Sequence, residues 1–293
     1  MSTPHYNLED LEERKLREIE HSRNRRKILQ GYERYSDTNS EEQIAHPGAL
    51  IRDPEAFKRH FSNTKFYSIQ ASLEAYEREW LRQRCRPGIR LLDFACGSGE
   101  NGIMAASFGA TVVGIDISPE GVENARLNAE REGVGHLCTF EVMDGEAMTF
   151  PDDSFDLVVE YGALHHVDLD KAMSECVRVL RKDGEMLAIE ALKHNPFIHL
   201  YRRITPHLRT EWEVAHILGV DDIARCRKHF KSVNTRFFHL LVLLAVPFRK
   251  TRVFRRLRDA LDRLDQRLLR RPGIGRFAWV GAVSLTSPNK VAR

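Results

Sequence analysis

Between residues 89 and 190 short apolar runs alternate with helix-length segments, and no other feature limits the possible folds as tightly. Residues 89–94, 111–116, 137–142, 155–160 and 185–190 read as strands. Residues 99–108, 119–131 and 169–180 read as the helices between them, the second opening on Ser118 as cap with Pro119 at its first position. Strands this apolar must be covered on both faces. Their alternation with helices predicts right-handed crossovers and an α/β fold with a parallel sheet.

The first strand runs into Asp93-Phe94-Ala95-Cys96-Gly97-Ser98-Gly99-Glu100-Asn101-Gly102. Gly97, Gly99 and Gly102 have the G-x-G-x-x-G spacing, and Asp116 ends the next strand 19 residues after Gly97. Glycines in such a turn let the backbone approach a ligand, and the distant acid accepts hydrogen bonds from ribose hydroxyls. A tight turn without any ligand is the plainer alternative. Two further acids bear on which ligand is meant. Asp93 sits where a pyrophosphate would approach a dinucleotide fold; a carboxylate there repels phosphate and attracts a cation. Asp144 follows the third strand in Asp144-Gly145-Glu146, where an adenine amino group could donate to it. No Tyr is followed four residues later by Lys, which removes the short-chain dehydrogenase pair. Acids after three successive strands suit an adenosyl ligand with a cationic amino-acid tail.

Four stretches in order, LLDFACGSGENG, VVGIDISPEGVENAR, VMDGEAMTFPDDSFDLVV and LHHVDLDKAMSECVRVLRKDGEM, resemble the class I S-adenosylmethionine-dependent methyltransferases of the type 11 kind. The resemblance covers about residues 89–192. It implies a doubly wound, Rossmann-like seven-stranded sheet, mostly parallel with the last strand antiparallel, and S-adenosyl-L-methionine as cofactor. By the family pattern Asp93, Ala95, Gly97 and Gly99 would hold the methionine portion and Asp116 with Ile117 the ribose. Asp144, Gly145 and Glu146 would hold the adenine, and Glu160, Tyr161 and Gly162 would lie beside the sulfonium. Glu100-Asn101 departs from the pattern, which more often has small residues or Arg. Tyr67, on a helix ahead of the core, is a further contact, where the family usually places a lid.

Methyl transfer needs alignment and exclusion of water, and a base only when the nucleophile is an alcohol or phenol. His165 and His166, after the fourth strand, are the base candidates, with Glu160 a third; the LHHV sequence is equally compatible with a structural role. Arg202, Arg203 and Arg209 follow the fifth strand and could clamp an anionic acceptor, or could line a solvated helix face. The expected reaction is methylation of a small molecule, most readily at oxygen, with carbon or nitrogen acceptors open. A nicotinamide oxidoreductase and a non-catalytic binding protein of the same fold are the rivals.

Outside the core, residues 1–84 are expected to form a helical extension or lid, with helices over about 1–30 and 55–84 and a turn-rich link over 31–54. Residues 85–293 would be the methyltransferase domain, with insertions at about 193–232 and 245–275. Within the first insertion, residues 209–218 and 221–229 read as helices; strands begin near 233 and 277. Residues 249–271 hold ten Arg or Lys against three Asp, a local +7 in a chain of net +3. The apolar stripe Val253, Leu257, Leu261, Leu264 and Leu268 makes residues 252–269 an amphipathic helix, suited either to the protein's own core or to peripheral contact with an anionic membrane. Near-neutral net charge argues against nucleic acid. Five scattered Cys without a C-x-x-C pair argue against disulfides and against a metal site. The N-terminus has no secretory signal and no run of eighteen apolar residues exists, so a cytoplasmic location is expected.

Overall fold

The structure, a computed structural model, describes residues 12–30 and 50–290. Helix α1 (Glu13–Ile28) leads into a two-residue strand β1 (Leu29–Gln30), which pairs antiparallel with β2 (Leu50–Ile51). The expected link over 31–54 lies mostly outside the described residues. Where one helix was expected over 55–84 there are three pieces: α2 (Pro54–His60), a 3₁₀ segment (Thr64–Ile69) and α3 (Ala71–Arg84). Side chains explain the break. Thr64 Oγ1 donates to the Phe61 carbonyl at 2.7 Å, and Ser68 Oγ to the Lys65 carbonyl at 2.7 Å. Such local bonds compete with the α-helical ladder.

The core then follows the alternation read from the sequence: β3 (Arg90–Phe94), α4 (Glu100–Ser107), β4 (Thr111–Asp116), α5 (Pro119–Arg131), β5 (Cys138–Val142), β6 (Phe155–Tyr161), α6 (Leu169–Val179) and β7 (Leu180–Ala191). β7 is twice the expected length, because residues 180–184 continue it through an irregular pairing with β6. Three helices follow: α7 (Pro196–Ile204), which was not anticipated, then α8 (Glu211–His216) and α9 (Val220–Arg225). β8 (Phe230–Phe238), a 3₁₀ segment (Val242–Phe248), α10 (Phe254–Leu268) and β9 (Val280–Pro288) complete the chain.

The seven-stranded sheet has the order β5-β4-β3-β6-β7-β9-β8. All pairs from β5 to β7 are parallel; β9 inserts antiparallel between β7 and β8. The strand order reverses between β3 and β6, and the carboxyl ends of the strands there open the crevice where doubly wound folds bind ligands. Buried side chains fill both faces. Phe94, Phe155, Met173, Met186 and Phe230 belong to one layer, and Leu73, Trp80, Leu91, Leu187 and Phe238 to the other. Each such side chain stabilises the fold by about 1.5–3 kcal/mol relative to exposure.

The basic helix α10 uses most of its apolar stripe internally. Phe254, Leu257 and Leu261 pack with Phe66, Ile69, Val242 and Val246, whereas Val253 and Leu264 stay exposed. Asp265, on the inner side of α10, is fully buried and accepts the backbone N–H groups of Leu240, Leu241 and Val242 at 2.8–3.0 Å. No helix among the described residues is long and apolar enough to cross a membrane.

Candidate active site

At the carboxyl ends of β3, β4 and β6 lies a cavity of about 440 Å³, within the usual size of small-molecule sites. Its floor is the turn after β3. Ala95 and Gly97 have φ of +51° and +53°, so the chain reverses tightly and turns backbone toward the cavity. Behind it Asp93, almost wholly buried, accepts the Gly102 N–H at 2.8 Å. A Cβ at Gly102 would stand 2.9 Å from that carboxylate, so the third glycine keeps α4 close to β3. Asp116 accepts the N–H of Gly97 at 2.9 Å and of Ser118 at 2.8 Å, tying the ends of β3 and β4 together.

The roof is α1. Its apolar residues are too few to mark it as a core helix, and its charges do the anchoring. Lys15 Nζ lies 2.5 Å from Asp144 Oδ2 and 3.0 Å from Glu146 Oε2. Arg14 reaches Glu146 at 2.9 Å and lies 4.3 Å over the Trp212 ring of α8. Arg26 donates to Ser98 Oγ at 2.5 Å, beside the glycine turn. Burial disfavours the Lys15 charge, but its bonds to Asp144 and Glu146 outweigh that and raise its pKa. None of these partners could be read from the sequence: Lys15 and Asp144 are 129 residues apart.

One wall carries two histidines. His165 Nδ1 is 2.8 Å from Glu190 Oε2, and His166 Nδ1 is 2.9 Å from Glu18 Oε2 of α1. Glu190, at the end of β7, is 1% exposed, and its other oxygen accepts the Leu164 N–H at 2.6 Å. Glu160 is fully buried behind it, with Oε1 accepting the Ala163 N–H at 2.7 Å. Two buried carboxylates in contact cannot both ionise at neutral pH. Burial and then the Glu190 charge push Glu160 well above the carboxylate range. Burial also opposes the Glu190 charge, but its interaction with His165 and its hydrogen bonds with His165, Glu160 and the Leu164 N–H hold it below. Glu190 is therefore the ionised partner of His165, and Glu160 carries the proton between the two acids. His166 is likewise raised: burial works against its charge, while Glu18 and Glu213 outweigh it.

The cavity brings together Tyr67, Ala95, Gly97, Asp116, Ile117, Asp144, Gly145, Glu146, Tyr161, His165, His166, Arg202 and Arg209 of the residues singled out from the sequence. Asp93, Gly99, Glu160 and Arg203 are not among its lining residues. The first three are buried just behind it and Arg203 is exposed on the outer side of α7. Sequence reasoning missed Arg14, Lys15, Glu18, Arg26, Glu190 and Glu213. For Glu190 the available signal was its position at the end of a strand next to the one preceding His165.

A family model described as a methyltransferase domain matches residues 92–188. The chain is 33% identical over 156 residues to an uncharacterized methyltransferase, YcgJ, of Bacillus subtilis (strain 168), a match covering 48% of this chain and 61% of that protein. It is 43% identical over 110 residues to a ribosomal protein L11 methyltransferase of Ralstonia pickettii (strain 12J), covering 37% of this chain and 34% of that one. The chain thus spans less than two thirds of the length of these curated relatives, and what it shares with them is a domain. Among solved structures, a geranyl diphosphate methyltransferase in complex with GPP and sinefungin superposes with a TM-score of 0.52 at 18% identity, covering 75% of this chain and 78% of that one. A geranyl diphosphate C-methyltransferase from Streptomyces coelicolor A3(2) gives 0.50 at 18%, covering 80% and 86%. At such identity these likenesses speak for the fold.

Proposed function

We propose, from the premise that this chain carries a class I S-adenosylmethionine-dependent methyltransferase domain, that it methylates a hydroxyl oxygen of a small-molecule acceptor and uses His165 as the general base. The observation that carries the reading is the buried Glu190 carboxylate fixed on His165 Nδ1, which directs the other ring nitrogen, Nε2, toward the cavity side, where Glu213 lies 3.9 Å away.

The residues fit S-adenosylmethionine. The turn at Ala95–Gly97 lines the cavity, a Cβ on Gly97 would meet nothing closer than 3.8 Å, and the Asp116 carboxylate stands at the cavity edge, where hydroxyls could donate to it. On this reading Asp116 with Ile117 holds the ribose, Asp144 with Gly145 and Glu146 the adenine, and Gly97, Tyr67 and Arg26 surround the amino-acid end. Bound there, the cofactor supplies a methyl group on a positively charged sulfur. The chain's own contribution is orientation, a dry cavity and a proton acceptor. His165 Nε2 takes the hydroxyl proton as the oxygen attacks, and Glu190 stabilises the resulting imidazolium and keeps the ring in the productive tautomer. Glu160, protonated, holds Glu190 in place. Within the N-terminal segment α1 acts as the lid, closing the cavity through Lys15, Arg14 and Glu18, while α3 packs on the sheet through Leu73 and Trp80 and the insertion at about 193–232 faces the acceptor.

The test is methyl transfer from methyl-labelled S-adenosylmethionine to hydroxylated small acids and alcohols, with product analysis by mass spectrometry. An O-methyl product that disappears in Glu190→Gln supports the assignment. Methylation only at carbon or nitrogen, or full activity in that variant, counts against it.

A further inference from the structure

The cavity wall farthest along the insertion carries two guanidinium groups side by side, and among the described residues only one of them has a carboxylate within ion-pair distance. Arg202, on α7, lines the cavity, and among the described residues its side-chain hydrogen bonding is confined to the Leu192 carbonyl, which accepts from NH1 at 3.0 Å. Arg209 lines the same wall, with Nε 3.4 Å from Glu213 Oε1 and NH1 donating to the Thr205 carbonyl at 3.1 Å. The other carboxylates nearby are committed elsewhere: Glu190 to His165, and Glu18 to His166 and Thr210. Glu213 is thus the carboxylate in contact with Arg209, while the charges of Glu213 and Glu190 reach Arg202 only from a distance. Burial first, and the like charge of Arg209 second, pull Arg202 down to about 10. A largely buried cation beside another cation is costly unless a counter-charge arrives. A guanidinium has five N–H donors, and one carbonyl leaves most of those on Arg202 for something else. The planar fork matches the paired oxygens of a carboxylate or phosphate.

Around the two arginines the wall is apolar or aromatic: Ile198, Tyr201, Leu208, Ile217 and Trp279. Glu213 lies 3.4 Å from Arg209 Nε and 3.9 Å from His165 Nε2, so Arg209 and the base are linked through one side chain. A ligand that touches both spans a few bonds. We propose that the methyl acceptor is a small hydroxy-bearing oxyanion, a carboxylate or a phosphate monoester, whose anionic group sits on Arg202 and Arg209 while its hydroxyl meets His165 and its apolar body lies against Tyr201 and Trp279. This rests on the methyl-transfer reading above and adds the acceptor class to it. Arg203, exposed on the outer face of α7, takes no part.

The experiment is titration of the full chain, saturated with S-adenosylhomocysteine, with three probes: 4-hydroxybenzoate, its neutral counterpart 4-hydroxybenzyl alcohol, and inorganic phosphate. At least one oxyanion is expected to bind about tenfold or more tightly than the alcohol, corresponding to about 1.4 kcal/mol. Arg209→Gln and Arg202→Lys are each expected to weaken that binding about tenfold while leaving S-adenosylhomocysteine affinity unchanged, which also shows that the variants are folded. A benzoate preference assigns the site to carboxylates, and a phosphate preference to phosphate monoesters. Binding of both oxyanions no tighter than that of the alcohol, no saturable binding of either oxyanion, or oxyanion affinity unchanged in both variants overturns the proposal. Failure to bind S-adenosylhomocysteine strikes instead at the methyl-transfer reading.

Discussion

Replacing Asp116 by Ala removes a carboxylate that closes one end of the cofactor site. Its oxygens accept two backbone N–H groups, from Gly97 at 2.9 Å and Ser118 at 2.8 Å, and line the cavity where the ribose hydroxyls are assigned. A hydrogen bond to a charged group contributes about 1.5–3 kcal/mol. Losing hydroxyl contacts, with some loosening of the Gly97 turn, should cost about 3 kcal/mol of binding, or roughly a hundredfold in Kd for S-adenosylhomocysteine. The two released N–H groups lie at the cavity edge, where water can replace the carboxylate, so the loss in folding stability should be nearer about 1 kcal/mol. Asp116→Asn keeps an acceptor oxygen without the charge and should fall between, at roughly tenfold. Isothermal titration of wild type and both variants, with thermal melts as a folding control, gives the numbers. If Asp116→Ala binds within about threefold of wild type, the ribose assignment is refuted.

Other substitutions reach different parts of the account. Glu190→Gln should slow methyl transfer by about 10²–10⁴-fold, because the imidazolium loses its buried counter-charge, while S-adenosylhomocysteine affinity is unchanged; comparable single-turnover rates would remove the dyad from the mechanism. Docking of α1 should be strongest near pH 6.5. His166, raised by its bond to Glu18 against the cost of burial, gives docking energy that is present below 6.5 and lost as pH rises through its elevated value. His21, lowered by burial and Arg25, gives docking energy that is present above 6.5 and lost as pH falls through its depressed value. Hydrogen exchange at residues 13–28, corrected for intrinsic rates, should show that maximum, and His166→Gln should flatten the alkaline side. A monotonic profile, or an unaltered one in the variant, contradicts the pairing. Asp265→Ala should destabilise the fold by about 3 kcal/mol, since three backbone donors lose their acceptor, lowering Tm by roughly 6–10 °C. An unchanged Tm would show that α10 is anchored by its apolar stripe alone.

The core was legible because its signals are local. Strand and helix periodicity, the Ser118-Pro119 cap and the glycine spacing placed β3 to β7 and the turn at the cavity floor within a few residues. α7 had a local signal that went unread: Asn195-Pro196, with the Asn195 side chain accepting the Ile198 N–H and Pro at the first helical turn. What stayed hidden depends on pairings between distant segments. α1 looks like a solvated charged helix until Asp144 and Glu146 are brought under Lys15. Glu190 looks like any strand-end acid until the parallel register sets it two residues past Ala188, the partner of Glu160. Glu160 itself read as a neighbour of the reacting methyl, yet its side chain turns beneath the Ala163–Leu164 turn and binds backbone there. The alternation of residues along a strand fixes which face they take, but only the surrounding loops decide whether that face meets the cavity.

Titrating S-adenosylhomocysteine into the purified chain, with hydrogen exchange read at residues 95–99 and 13–28, tests the central claim most directly. Saturable binding of one molecule per chain, with added protection of both the glycine turn and the helix above it, is the expected result. No saturable heat up to roughly millimolar ligand, which corresponds to binding weaker than about 4 kcal/mol, would contradict it. So would saturable binding that leaves both segments unprotected.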